Sequence, residues 1–177
     1  MRKFTLKNGL NCIIEEAKVE DALEIINYTN QVAGETDNLT FGHGEFRLSK
    51  EDEEKFIATQ QNMRTSLFLV ARANGKIVGS VNLKGNLKKR MRHTAEFGIT
   101  VLKEYWGLGI GKLLMGKMIK YAKRVGITKI NLKVRSDNRR AIKLYQKLGF
   151  EREGLERHAM KIKGEYVDFV LMGLLLD

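Results

Sequence analysis

The chain has 177 residues, 43% apolar and 30% charged, with no proline and one cysteine. This composition supports one globular domain over 1–177 and excludes a proline-rich linker, an intrachain disulfide and a cysteine-built metal site. Its 32 basic against 21 acidic residues, a net charge of +11, point to a polyanion: nucleic acid, an acidic partner or a polyphosphate cofactor.

No apolar run approaches membrane-spanning length, and 1–11 lacks the apolar centre of a secretory signal. The expected home is the reducing cytoplasm, with no membrane partner. Residues 11–16 read as a short strand that buries Cys12. Residues 19–32 read as a helix with Ala22, Leu23, Ile25, Ile26 and Thr29 near one face and Gly34 as its stop. From 35 to 47, around Phe41, Gly42, His43, Gly44 and Phe46, there is no clean period, so a loop or broken helix is expected. Ser49, followed by Asp52 and Glu53, signals a capped helix running to about 62.

Residues 67–73 form a strand, Asn74-Gly75 a tight hairpin, and 76–84 the returning strand. The segment Leu87-Lys88-Lys89-Arg90-Met91-Arg92 is a basic loop, read as a solvated hairpin end ahead of a nucleic-acid contact. In the strand at 93–101, Ala95, Phe97, Ile99 and Val101 take one face and Thr94, Glu96, Gly98 and Thr100 the other. Gly98 is a candidate bulge that splays this strand from its neighbour. A helix at 113–125, a buried strand at 127–134, a helix capped by Asp137 or Asn138 and ended by Gly149, and two strands about Gly164 complete the chain. The order β-α-α-β-β-β-α-β-α-β-β gives an α/β chain with a mixed sheet and helices on its faces.

Between strand and helix lies Tyr105-Trp106-Gly107-Leu108-Gly109-Ile110-Gly111-Lys112. Three alternate glycines leave backbone N–H groups unshielded, and the helix that follows adds free N–H groups and the positive end of its dipole, so the turn suits phosphate. The P-loop pattern fails, because Gly111-Lys112 is followed by Leu113 and Trp106 stands where its first glycine belongs. The dinucleotide pattern also fails: Lys112 takes the third glycine's place, and no acidic residue follows near Lys129.

The turn instead resembles the coenzyme A loop of the GNAT N-acetyltransferases, Gln/Arg-x-x-Gly-x-Gly/Ala. Gly109 and Gly111 match, and Trp106 replaces the usual Gln or Arg, as in the branch resembling ribosomal-protein and diamine acetyltransferases. Downstream, Asn138-x-x-Ala141-x-x-x-Tyr145-x-x-x-Gly149-Phe150 fills every specified position of the family's second pattern. The resemblance covers roughly 94–150. Asn138, Ala141 and Tyr145 share one helical face, with Leu144 and Leu148 expected toward the core.

The resemblance implies that Trp106, Gly107, Leu108, Gly109, Ile110, Gly111 and Lys112 hold the pyrophosphate of acetyl-CoA. It implies that Ile99, Thr100 and Val101 pair with the pantetheine arm, that a backbone N–H near Ile99 meets the oxyanion, and that Asn138, Ala141, Tyr145 and Lys147 complete the cofactor site. Tyr145 would protonate the leaving thiolate, and Glu96 would take the amine's proton through water. Transfer would be direct, in keeping with the lack of a Ser/His/Asp or Cys/His set. No metal is implied; His43, His93 and His158 lack ligand spacing. For the amine acceptor, Glu35, Phe41 and Tyr166 are candidates, with Asp37, Glu45 and Asp168 nearby. Nucleic acid is not expected as a partner, and there is room for a homodimer. Two other readings stay open: a basic nucleic-acid- or ribosome-binding module, and an acyl-CoA-binding sensor.

Overall fold

A computed structural model describes residues 2–176. Its strands are β1 (Arg2–Thr5), β2 (Asn11–Glu16), β3 (Leu67–Ala73), β4 (Lys76–Gly85), β5 (Thr94–Val101), β6 (Lys129–Arg135), β7 (Glu151–Ile162) and β8 (Glu165–Leu175). Its helices are α1 (Ala22–Glu35), α2 (Lys50–Asn62), α3 (Ile110–Arg124) and α4 (Arg139–Lys147). The strands form one sheet, ordered β1-β2-β3-β4-β5-β6-β8-β7. Every pairing is antiparallel except β5 with β6. A parallel neighbour requires a crossover, and α3 supplies it.

Three sequence expectations are corrected. A strand, β1, precedes the first predicted one and pairs with β2 through Phe4↔Cys12. Gly34 does not stop α1, which runs to Glu35 and ends where Thr36 turns extended. Its buried face is Ala22, Ile25, Tyr28, Val32 and Ala33, while Leu23 is 54% exposed. The Ser49 cap forms as predicted, with Oγ accepting from the Asp52 N–H at 3.1 Å.

The core lies on both faces of the sheet. On one, α3 lays Ile110, Leu114, Met115, Met118 and Ala122 over β3, β4 and β5. Each large side chain so buried contributes about 1.5–3 kcal/mol. Helix α1 covers part of the other face, and its start is anchored by charge. The Arg72 guanidinium on β3 donates to Glu15, Asp21 and Glu24, and Glu24 also accepts the Ile77 N–H at 2.8 Å. That cluster sets the depth of α1 so that the Tyr28 hydroxyl meets Thr100 Oγ1 at 2.9 Å.

Candidate active site

Strands β5 and β6 are joined for only three residue pairs, Thr94↔Lys129, Ala95↔Ile130 and Glu96↔Asn131. Beyond Glu96 they separate. The predicted bulge at Gly98 is absent, since the β4–β5 register runs unbroken from Gly79↔Val101 to Gly85↔Ala95. The opening therefore comes from divergence of the parallel pair.

Register decides which backbone groups face the opening. In an antiparallel ladder, alternate residues turn both N–H and C=O to the same side. Leu102 donates to Val78 and Asn86 donates to Thr94, so the even-numbered residues of β5 are spent on β4. Ile99 and Val101 turn their backbone toward the slot; Thr100 does not. On the far side, Ser136 donates to Asp168 and Leu176 to Thr128, which leaves Lys133 and Arg135 of β6 facing the slot. Of the three predicted pantetheine partners, Thr100 is thus corrected: its side chain joins Tyr28 and Ser80, and its backbone belongs to β4.

At the slot's wide end lies the glycine turn. Gly107 (φ +83°) and Gly109 (φ +101°) adopt a conformation that L side chains rarely reach. Gly109 is the N-cap of α3 and brings no side-chain acceptor. The first intrahelical bond is Leu113 to Gly109, so the N–H groups of Ile110, Gly111 and Lys112 are left without helical acceptors. A Cβ on Gly109 would meet nothing within 4 Å. The side chain of Ile110 is buried, so only its backbone is on offer, and Gly111 packs against Leu144. The Trp106 indole donates to the Val101 carbonyl at 2.7 Å, tying the turn to the end of β5. The Arg140 guanidinium lies 4.9 Å over the Trp106 ring, with Nη2 beside Gly107. Arg140 was missed from sequence; it reads as one more surface charge until α4 is seen to lean on the turn.

Asn138 is the α4 cap, and its Oδ1 accepts the Ala141 N–H at 3.1 Å; its amide donor remains available. Ala141 is half-buried and Lys147 is exposed at the far end of α4. The predicted orientation of α4 is corrected. Tyr145 is the buried residue, 8% exposed, while Leu144 and Leu148 are half-buried. The Tyr145 ring meets Phe97 and Phe150 at 5.8 and 5.9 Å. Phe97 is the first β5 residue past the parallel ladder, so Tyr145 stands at the fork. Burial pushes its phenol up to about 12.

Glu96 is exposed and lies on the face opposite Phe97, the face that Thr100 shows to α1. Glu35 is held at the end of α1, its carboxylate accepting from Gln31 and from the Lys103 N–H at 2.7 Å. It lines one cleft with Asp37, Arg135 and Asn138. Tyr166 lines the adjoining cleft, of about 560 Å³, with Asp37, Arg135, His158 and Asp168, and stacks on His158 at 4.3 Å. Arg135, also missed, divides the two: its guanidinium grips Asp137 and donates to the Asp37 carbonyl at 2.6 Å. That bond to Asp137 holds the Asp137 carboxyl below its usual range. Phe41 lies apart from both clefts, against Phe46 at 5.7 Å.

The architecture matches an acetyltransferase of the GNAT family from Streptococcus pneumoniae, with 36% identity, TM-score 0.91, and 93% of this chain covering 99% of that one. A Salmonella typhimurium protein solved with its cofactor acetyl-CoA shares the fold at TM-score 0.82 and 23% identity, over 94% of both chains. The L-amino acid N-acetyltransferase AaaT of Escherichia coli is 37% identical over 105 residues, 59% of this chain. The match spans 65% of the length of that curated relative. The family model described as Acetyltransferase (GNAT) family matches residues 36–150. With the forked strands and the glycine turn, this match establishes that the chain belongs to the acetyltransferase (GNAT) family.

Proposed function

We propose that the protein is an acetyl-CoA-dependent N-acetyltransferase that passes acetyl directly to a primary amine. The observation that carries this is the parallel ladder ending at Glu96↔Asn131 beside a turn of unclaimed N–H groups. A pantetheine arm, peptide-like in its amides, fits against Ile99 and Val101, and a pyrophosphate fits the 107–112 backbone. Arg140, stacked on Trp106, brings to the phosphates the charge that the family's Gln/Arg position lacks here.

Bound there, acetyl-CoA supplies a thioester-activated acetyl group. The Ile99 N–H donates to the acyl oxygen as negative charge develops on it. A free amine near pKa ~10.4 is mostly protonated at neutral pH, and Glu96 receives its proton through water. Tyr145 donates a hydrogen bond to the leaving sulfur. With the phenol near 12 and a thiol near ~8.5, full transfer costs about 5 kcal/mol, so donation rather than protonation is its role. Glu96 and Tyr145 stand on opposite faces of β5, which lets the amine enter from the α1 side while sulfur departs on the α4 side. Lys112 and Lys147 are exposed and would offer positive charge to the cofactor's outer phosphate.

Acceptors are received in the clefts flanking Arg135, where Glu35 and Tyr166 stand; Phe41, apart from both, takes no part. L-amino acids, polyamines, aminoglycosides and peptide N-termini form the test panel, the first because of the Escherichia coli relative. Calorimetry should show acetyl-CoA binding in the micromolar range or tighter, and mass spectrometry one acetylated amine class. Binding without any acetylated product would leave an acyl-CoA sensor, and no binding would refute both.

A further inference from the structure

The positive charge is not confined to the cofactor turn. No Asp or Glu occurs between Glu54 and Glu96, nor between Glu104 and Asp137. The fold brings connections from these two acid-free stretches together at the other end of the molecule. Gly85, closing β4, lies so near Thr65 that a Cβ would come within 2.4 Å of its hydroxyl. The Tyr121 hydroxyl donates to the Arg64 carbonyl at 2.9 Å, and Arg124 lies 5.1 Å over the Tyr121 ring. Thr128 and Lys129 both donate to the His93 carbonyl. The α2–β3, β4–β5 and α3–β6 connections therefore share one pole. Helix α3 separates it from the glycine turn by its 15 residues, about 22 Å.

Arg64, Lys88, Lys89, Arg90, Arg92 and Arg124 are all exposed here. None of the six is in an ion pair found among the described residues; the salt bridge at this pole joins Lys129 to Glu153 at 2.8 Å, and the others lie elsewhere. Four of the six are arginines, whose planar fork matches phosphate. Leu87, Met91 and Leu175, the last paired with Lys129, are the large exposed apolar side chains at this pole, too few and too scattered for the apolar centre that a protein interface or a bilayer-inserted face would bury.

We infer that this pole is a docking surface for the phosphate backbone of a nucleic acid, separate from the acyl-transfer site. The sequence favoured a solvated loop for 88–92, because a linear reading could not join that loop to Arg64 and Arg124. The surface needs no catalytic role for the slot, so it stands or falls apart from the acetyltransferase reading.

The test is fluorescence anisotropy of the full chain with a labelled uridine oligonucleotide and a labelled DNA duplex, beside sedimentation with anionic phosphatidylglycerol vesicles. Engaging about four to six phosphates gives a log–log salt slope near −3 to −4 on single-stranded RNA, so binding weakens roughly 50- to 300-fold from 50 to 200 mM salt. Reversing Lys88→Glu, Lys89→Glu, Arg90→Glu and Arg92→Glu together should weaken binding at least tenfold, with acetyl-CoA affinity unchanged as proof of folding. The same charge change at Lys3, Lys18, Lys55 and Lys76 should do markedly less. No nucleic-acid binding at 50 mM salt would overturn the inference. So would equal loss from both sets of reversals, displacement of the oligonucleotide by acetyl-CoA, or binding to the vesicles alone.

Discussion

Tyr145 owes its role to being packed rather than free. Its ring is fixed by Phe97 and Phe150 at the fork, so only its hydroxyl differs between Tyr and Phe. Tyr145→Phe should lower kcat by about ten- to a hundredfold, less than the ~10²–10⁴ of a full proton transfer because the phenol only donates a hydrogen bond, and leave acetyl-CoA affinity within threefold. Unchanged turnover would remove the phenol from the mechanism. Arg140→Ala should weaken acetyl-CoA about fivefold or more in calorimetry but leave an acetyl-pantetheine fragment, which has no pyrophosphate, unaffected. The spacing of Asn138, Ala141 and Tyr145 was legible because a helix repeats every 3.6 residues. Which way that face turned was not: periodicity groups residues on a stripe, and the burial of Tyr145 depends on Phe97 and Phe150 from other strands. Arg140 was illegible for a similar reason, since a stacking partner 34 residues away leaves no local signal.

Among the elements, the first turn of α3 is placed by β4. A Cβ at Gly79 would come 3.0 Å from Ile110 Cγ2 and 3.4 Å from the Thr100 carbonyl. Gly79→Val should therefore push the helix start off the sheet, lowering the melting temperature and weakening acetyl-CoA together. Gly109→Val acts on the turn itself, where positive φ costs a β-branched residue about 1–2 kcal/mol or more; calorimetry should show cofactor affinity falling at least tenfold. The strand and helix order was readable from period, caps and the Asn74-Gly75 turn. The extra strand β1 was not, because its four residues carry no pattern long enough to distinguish from a tail. The cause of the opening between β5 and β6 was also hidden. A bulge can be sought at a glycine, but the divergence of a parallel pair depends on two distant segments and their other partners. The Trp106 bond to Val101 and the β8 ladder on β6 are long-range or side-chain facts that alternation in the sequence does not encode.

At the scale of the whole molecule, two buried phenols set an alkaline limit. Tyr28 and Tyr145 are both raised by burial, Tyr145 from 10.0 to about 12. In the unfolded chain each phenol deprotonates near ~10, while the folded chain keeps its protons, so stability is full below pH ~10 and is lost as pH climbs toward 12. Thermal melts should fall over that window, with roughly 2–3 kcal/mol at stake for Tyr145 alone, and Tyr145→Phe should flatten part of the decline. The same packing that sets this limit holds the fork in place, and the fork makes the most direct prediction of all. Backbone amide exchange, read residue by residue, should find Thr100 protected with no ligand present and Ile99 and Val101 exchanging far faster. Acetyl-CoA should then slow Ile99 and Val101 by an order of magnitude or more and leave Thr100 little changed. If Ile99 and Val101 are as protected as Thr100 beforehand, and acetyl-CoA does not alter them, the strands are closed and the slot does not exist.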